Sequence, residues 1–66
     1  MRYKSVSEVA SGDVLRLDEH ATMVISRVSG VDQTGHIQLT GLIGSDAYRE
    51  RRTLTAFVGT FVALAE

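Results

Sequence analysis

Six glycines, at positions 12, 30, 35, 41, 44 and 59, cut the apolar pattern of this 66-residue chain into runs of strand length rather than helix length. A strand is complete in about five or six residues, whereas a globular helix averages about eleven. The clearest run, His36 to Ile43, alternates with period two. Ile37, Leu39, Gly41 and Ile43 share one face, and His36, Gln38 and Thr40 take the other. Thr22 to Val28 is rich in β-branched residues, with Thr22, Val24 and Val28 predicted on one face and Met23 and Ile25 on the other. Ser29 to Gly35 lies between the two runs and holds two glycines, which makes an antiparallel hairpin the economical connection. Upstream, Asp13 to Leu17 reads as a short strand after the turn signal Ser11-Gly12-Asp13, and Asp18 to Ala21 is the polar link to the next run. Ser5 to Ser11 predicts a single helical turn, with Val6 and Val9 three apart, Ser5 as N-cap and Glu8 at capping-box spacing.

The end of the chain supports two periods. With period two, Leu54, Ala56, Val58, Val62 and Leu64 line one face; with period 3.6, Leu54, Phe57, Val58, Phe61, Val62 and Ala65 form a stripe. The density of Thr, Val and Phe and the central Gly59 favour a strand, a kink at Val58 to Thr60 and a second strand over an amphipathic helix. Gly44 to Arg52 is polar and charged, compatible with a loop, a distorted helical turn or the start of a strand. Five short strands without a crossover helix predict one all-β domain spanning residues 1–66, a small five-stranded antiparallel barrel, or a curled sheet, with one short helical turn.

Such a domain has to hold together without covalent staples, because the chain contains no cysteine. A domain of this size buries about 60% of the surface its unfolded chain exposes, so a margin of a few kcal/mol is expected, with self-association as one source of more. No apolar run approaches the roughly 20 residues of a membrane span, and the N-terminus has no secretory apolar core, which predicts a cytoplasmic protein with no membrane partner.

The order of features resembles the KOW-related SH3-like barrels, the family that includes the N-terminal domain of elongation factor P. The residues that carry the likeness are Val6-Ser7-Glu8-Val9-Ala10-Ser11-Gly12-Asp13-Val14-Leu15-Arg16-Leu17, where a Gly-Asp turn follows a short lead-in and opens a strand, and Val24-Ile25-Ser26-Arg27-Val28, followed by a glycine-bearing loop and two closing strands. The resemblance implies an SH3-like barrel. In that family the loop after the second strand carries a modified basic residue, but Ser29 to Gly35 has no basic residue, so the translation-factor role does not carry over.

No catalytic constellation stands out. Asp18-Glu19-His20 with the distant His36 is the nearest approach to one, and an acidic turn between strands is ordinarily solvated. The two histidines lack metal-ligand spacing, the glycines do not form a phosphate loop, and a chain this small has little room for a substrate pocket. A protein without enzymatic activity, cofactor, metal or small-molecule substrate is expected. The concentrated electrostatic feature is Tyr48-Arg49-Glu50-Arg51-Arg52, three arginines against one glutamate for a net +2 in a chain whose overall charge is −1. Arginine forks suit phosphate or carboxylate, and Tyr48 can stack on a base or anchor a protein contact. Tyr48, Arg49, Arg51 and Arg52 are therefore the candidate binding residues. The leading expectation is a binding module acting through protein contact, of the kind a phage or mobile element uses as an accessory protein. The alternatives are nucleic-acid binding through Arg49, Arg51 and Arg52, and a homo-oligomeric structural protein. Phe57, Phe61, Val62 and Leu64 are expected in the core; any part left exposed would be a patch for self-association or a partner.

Overall fold

The computed structural model describes residues 2–45 and 48–65. Its strands are β1 (Tyr3–Ser5), β2 (Val14–Arg16), β3 (Thr22–Val28), β4 (His36–Ser45), β5 (Tyr48–Phe57) and β6 (Phe61–Ala63), with a 3₁₀ turn at Val6–Glu8 after β1. β2 to β5 form an antiparallel four-stranded sheet in sequence order, and β1 pairs with β6 in a two-stranded ribbon. Leu15 of β2 bridges to Leu64 just beyond β6, and the Ala65 N–H donates to the Val14 carbonyl, so the ribbon is tied to the sheet at β2.

The all-β prediction holds, and the closed five-stranded barrel is replaced by six strands in an open, two-sheet arrangement. The extra strand is Tyr-Lys-Ser at 3–5, which has no apolar alternation of its own and becomes a strand because β6 pairs with it. The arrangement is open because a turn at Val58–Gly59, closed by the Thr60 N–H donating to the Phe57 carbonyl, carries β6 away from β5. β6 then pairs with β1 and touches β2, and β5 pairs only with β4 among the described residues. The strand, kink, strand reading of residues 53–65 holds and the helical alternative does not. Gly44 to Arg52 belongs to β4 and β5, apart from residues 46 and 47, which lie outside the described residues.

Val6, Val9, Leu15, Met23, Ile25, Ile37 and Leu39 form the buried core, with Val28, Ile43, Leu54, Ala56, Val58, Val62 and Leu64 packed around it. Val6 and Val9 enter it from either end of the 3₁₀ turn. Ser5 makes no side-chain cap there; its hydroxyl pairs with that of Ser7, and the Val6 N–H goes to the Thr60 carbonyl at 2.8 Å. Gly12 adopts φ +98°, which a side chain would strain, and lets the chain turn into β2. Asp13 secures that turn by accepting from the Ala10 N–H at 2.9 Å and pairing with Lys4 at 2.9 Å.

Two further departures concern which way side chains point. The β3–β4 register shifts between Ile25 and Arg27, so a bulge resets the alternation and turns Val28 toward the core with Met23 and Ile25, not toward Thr22 and Val24. Opposite the bulge sits Gly41, buried, where a Cβ would collide with the Val24 carbonyl. Phe57 and Phe61 are 55% and 67% exposed rather than buried, because the period-two phase that turns Leu54, Ala56, Val58 and Val62 inward turns both rings outward.

Candidate functional site

The ten-residue strands β4 and β5 are the longest of a molecule 37 by 25 by 17 Å. Their register pairs Ile37 with Ala56, Leu39 with Leu54, Gly41 with Arg52 and Ile43 with Glu50, and it pairs His36 with Phe57, Thr40 with Thr53, Leu42 with Arg51 and Gly44 with Arg49. Directly paired residues share a face of an antiparallel sheet. The first set continues the core side and the second is the outer side.

This alternation divides the four candidate residues. Tyr48 and Arg52 lie on the core-side face with Glu50 between them. Glu50 holds Arg52 in an ion pair and accepts from the Tyr48 hydroxyl at 3.3 Å. Arg49 and Arg51 lie on the outer face, about 7 Å apart along the strand. Arg27, paired with Thr40, which is paired with Thr53, shares that face two strands away, roughly 10 Å across the sheet. Sequence order gives no sign of this neighbour, which lies 24 positions from Arg51; only the β3–β4–β5 register brings it near.

Arg27 and Arg51 line one depression of about 310 Å³ with Ser26, Ser29, Gln38 and Thr40. Its floor is polar and braced: the Ser26 hydroxyl donates to the Thr40 carbonyl at 3.1 Å, the Ser29 hydroxyl accepts from the Gln38 N–H at 2.9 Å, and the Thr40 and Thr53 hydroxyls meet at 3.1 Å. Among the described residues, no carboxylate is placed on the outer face of β3, β4 or β5, and Arg27, Arg49 and Arg51 make no ion pair there. Arg16 has the same outward phase on β2, beside a different depression that includes Asp18 and Glu19. At the far end of the face, Phe57 and His36 stand edge to face with ring centroids 5.6 Å apart.

The acidic groups have structural work elsewhere. Asp18 accepts from the N–H groups of His20 and Ala21 at 2.7 and 2.8 Å, closing the β2–β3 turn, while Glu19 and His20 are almost fully exposed. Asp32 accepts from the N–H of His36, the hydroxyl of Thr34 and the N–H of Thr34, which holds its carboxyl below the usual carboxylate value and orders the β3–β4 loop. Asp13 is likewise lowered, chiefly by the Ala10 N–H and next by Lys4. Among the described residues, no three His, Asp or Glu side chains come together as a metal site, and no helix is long and apolar enough to cross a membrane. Comparison with protein families, curated proteins and solved structures finds no match for the chain.

Proposed function

We propose that this protein is a non-enzymatic binding module that holds a single-stranded nucleic acid across the outer face of β3, β4 and β5. The observation that carries the reading is the gathering of Arg27, Arg49 and Arg51 on one face with no described carboxylate among them. Arginine forks bind phosphate oxygens, and three of them spread over roughly 17 Å suit an extended phosphate chain better than one small anion. The depression between Arg27 and Arg51 adds serine, threonine and glutamine side chains for sugar or phosphate contacts, and Phe57 with His36 supplies rings on which a base can stack. The near-neutral total charge does not oppose this, because the carboxylates of Asp13, Asp18 and Glu50 are occupied in turns and an ion pair away from the three arginines, and Asp32 is held in the β3–β4 loop at the far end, beside His36.

An SH3-like barrel opened along β5 is the fold this reading assumes, and the antiparallel β2–β5 sheet with the Gly12-Asp13 turn before β2 supports it. Nucleic acid moves ahead of protein contact because Arg27 joins Arg49 and Arg51, whereas Arg52 is engaged by Glu50. Fluorescence anisotropy with a labelled oligothymidylate of about 20 nucleotides tests the reading. Micromolar binding in about 50 mM salt that weakens in about 200 mM is expected. Absence of saturable binding at the lower salt overturns it.

A further inference from the structure

Beside that face runs a surface with different chemistry, the free edge of β5. The Val58 N–H donates to the Gly35 carbonyl at 2.8 Å, and the unbroken β4–β5 register carries the same phase along the strand. In an antiparallel ladder each residue points its N–H and C=O to the same side, and successive residues alternate. The even-numbered residues of β5 therefore bond to β4, and Arg49, Arg51, Thr53 and Thr55 present their backbone groups at the other edge. No strand among the described residues pairs with that edge. Ten residues of unpaired edge are a template for an added strand.

The side chains around the edge specify what that strand would carry. On the core side an apolar groove of about 370 Å³ runs along it, between Leu54 and Ala56 of β5 and Leu17, Phe61 and Val62 opposite. Leu17 and Phe61 are exposed there. On the outer side stand Arg49 and Arg51. A second copy would bring its own Arg49, Arg51 and Arg52 against these, and a strand with three arginines in four positions resists pairing with itself.

We propose that the β5 edge binds an extended acidic peptide segment by strand addition. Antiparallel to β5, the segment places apolar side chains opposite Ala56 and Leu54, over the groove, and carboxylates opposite Arg51 and Arg49. Its pattern is apolar-x-apolar-x-x-acid-x-acid. The backbone bonds provide the docking, and the alternate side chains select the sequence.

The probe is the peptide Val-Thr-Val-Thr-Thr-Glu-Thr-Glu with blocked ends, titrated into the full chain and followed by amide exchange and chemical shifts. Free protein should exchange quickly at Arg49, Arg51, Thr53 and Thr55, and peptide should protect Arg51, Thr53 and Thr55. Thr55→Pro removes an N–H that points away from β4 and so leaves the ladder intact. It should weaken peptide binding by at least tenfold, whereas Arg27→Ala, on β3 and away from the edge, should weaken oligothymidylate binding and leave peptide binding unchanged, which separates this proposal from the nucleic-acid reading. N-methylation of alternate amides in the probe applies the same block without altering the protein. Peptide binding that survives both blocks, or a lysine-for-glutamate peptide that binds equally well, overturns the proposal. Edge protection that grows with protein concentration alone, with a dimeric mass by light scattering, overturns it in favour of a second copy.

Discussion

Arg51→Ala and Arg52→Ala remove neighbouring guanidinium groups of equal charge, and the fold predicts different consequences. Arg51 is on the outer face opposite Leu42; Arg52 is on the core side opposite Gly41, in an ion pair with Glu50. If Arg27, Arg49 and Arg51 each neutralise one phosphate of a single strand, log K falls with log salt at about 0.7 per contact, a slope near −2.1. From about 50 to 200 mM salt, a fourfold change, affinity should drop roughly 18-fold. Arg51→Ala leaves two contacts, a slope near −1.4 and a drop of roughly sevenfold over the same range. Arg52→Ala should keep the wild-type slope; the partly exposed pair that it breaks contributes at most about 1 kcal/mol to stability. Anisotropy titrations of an oligothymidylate at four salt concentrations measure all three slopes. If the two variants flatten the slope equally, proximity in sequence governs binding and the assignment by face is refuted. An unchanged slope in Arg27→Ala would remove β3 from the site.

Other consequences follow from packing and titration. Gly41→Ala drives a Cβ into the Val24 carbonyl, a backbone atom that cannot swing aside. It should cost about 3 kcal/mol, most of the stability of a domain this small, and urea unfolding with an unaltered midpoint would contradict that. Leu39→Ala empties a site 1% exposed and should cost about 2–5 kcal/mol, whereas Phe61→Ala, at a ring 67% exposed, should cost under about 1 kcal/mol. Equal losses would place Phe61 in the core after all. For pH, Asp13 and Asp32 bind protons less readily folded than unfolded, so their contribution is full above the ordinary value of 3.8 and is lost as pH falls below it. Unfolding midpoints should hold steady from about pH 7 to 5 and decline below about 4, and Asp32→Asn should shallow that acid decline. An acid decline unchanged in Asp32→Asn would detach the loop carboxylate from it.

The strands were legible where one residue type decided the matter locally. Thr22 to Val28 and the start of the next strand at His36 agree with β3 and β4, and Gly59 marks the turn between β5 and β6. What the chain did not disclose depends on partners distant in sequence. Tyr3–Ser5 carries no strand pattern and forms β1 because β6, nearly 60 residues on, supplies the hydrogen bonds. The bulge at Ser26 is equally silent, since Ile-Ser-Arg-Val alternates acceptably with or without an extra residue. Yet it decides that Val28 faces the core. Phe57 and Phe61 are apolar enough for a core but stand in the opposite phase, since period two sets them against Ala56 and Val62.

Charge shows the same division more sharply. A run such as Tyr48-Arg49-Glu50-Arg51-Arg52 looks like one patch when it is read as a string, yet a strand sends successive residues to opposite sides. Two of its arginines thereby share a face, while the third shares the other with Glu50 and is drawn into a local pair. The outer arginines gain their third member from β3 through Thr40 and Thr53, a neighbour set by register rather than by sequence. Moving Arg27 to position 28 would keep the composition, the pI and the basic run unchanged and still break up the face, because the bulge turns that position to the core side. Electrostatic readings of β proteins therefore gain their force only after strand phase and pairing are known. In this chain it is the phase that turns a net charge of −1 into a face where cations stand without described carboxylates.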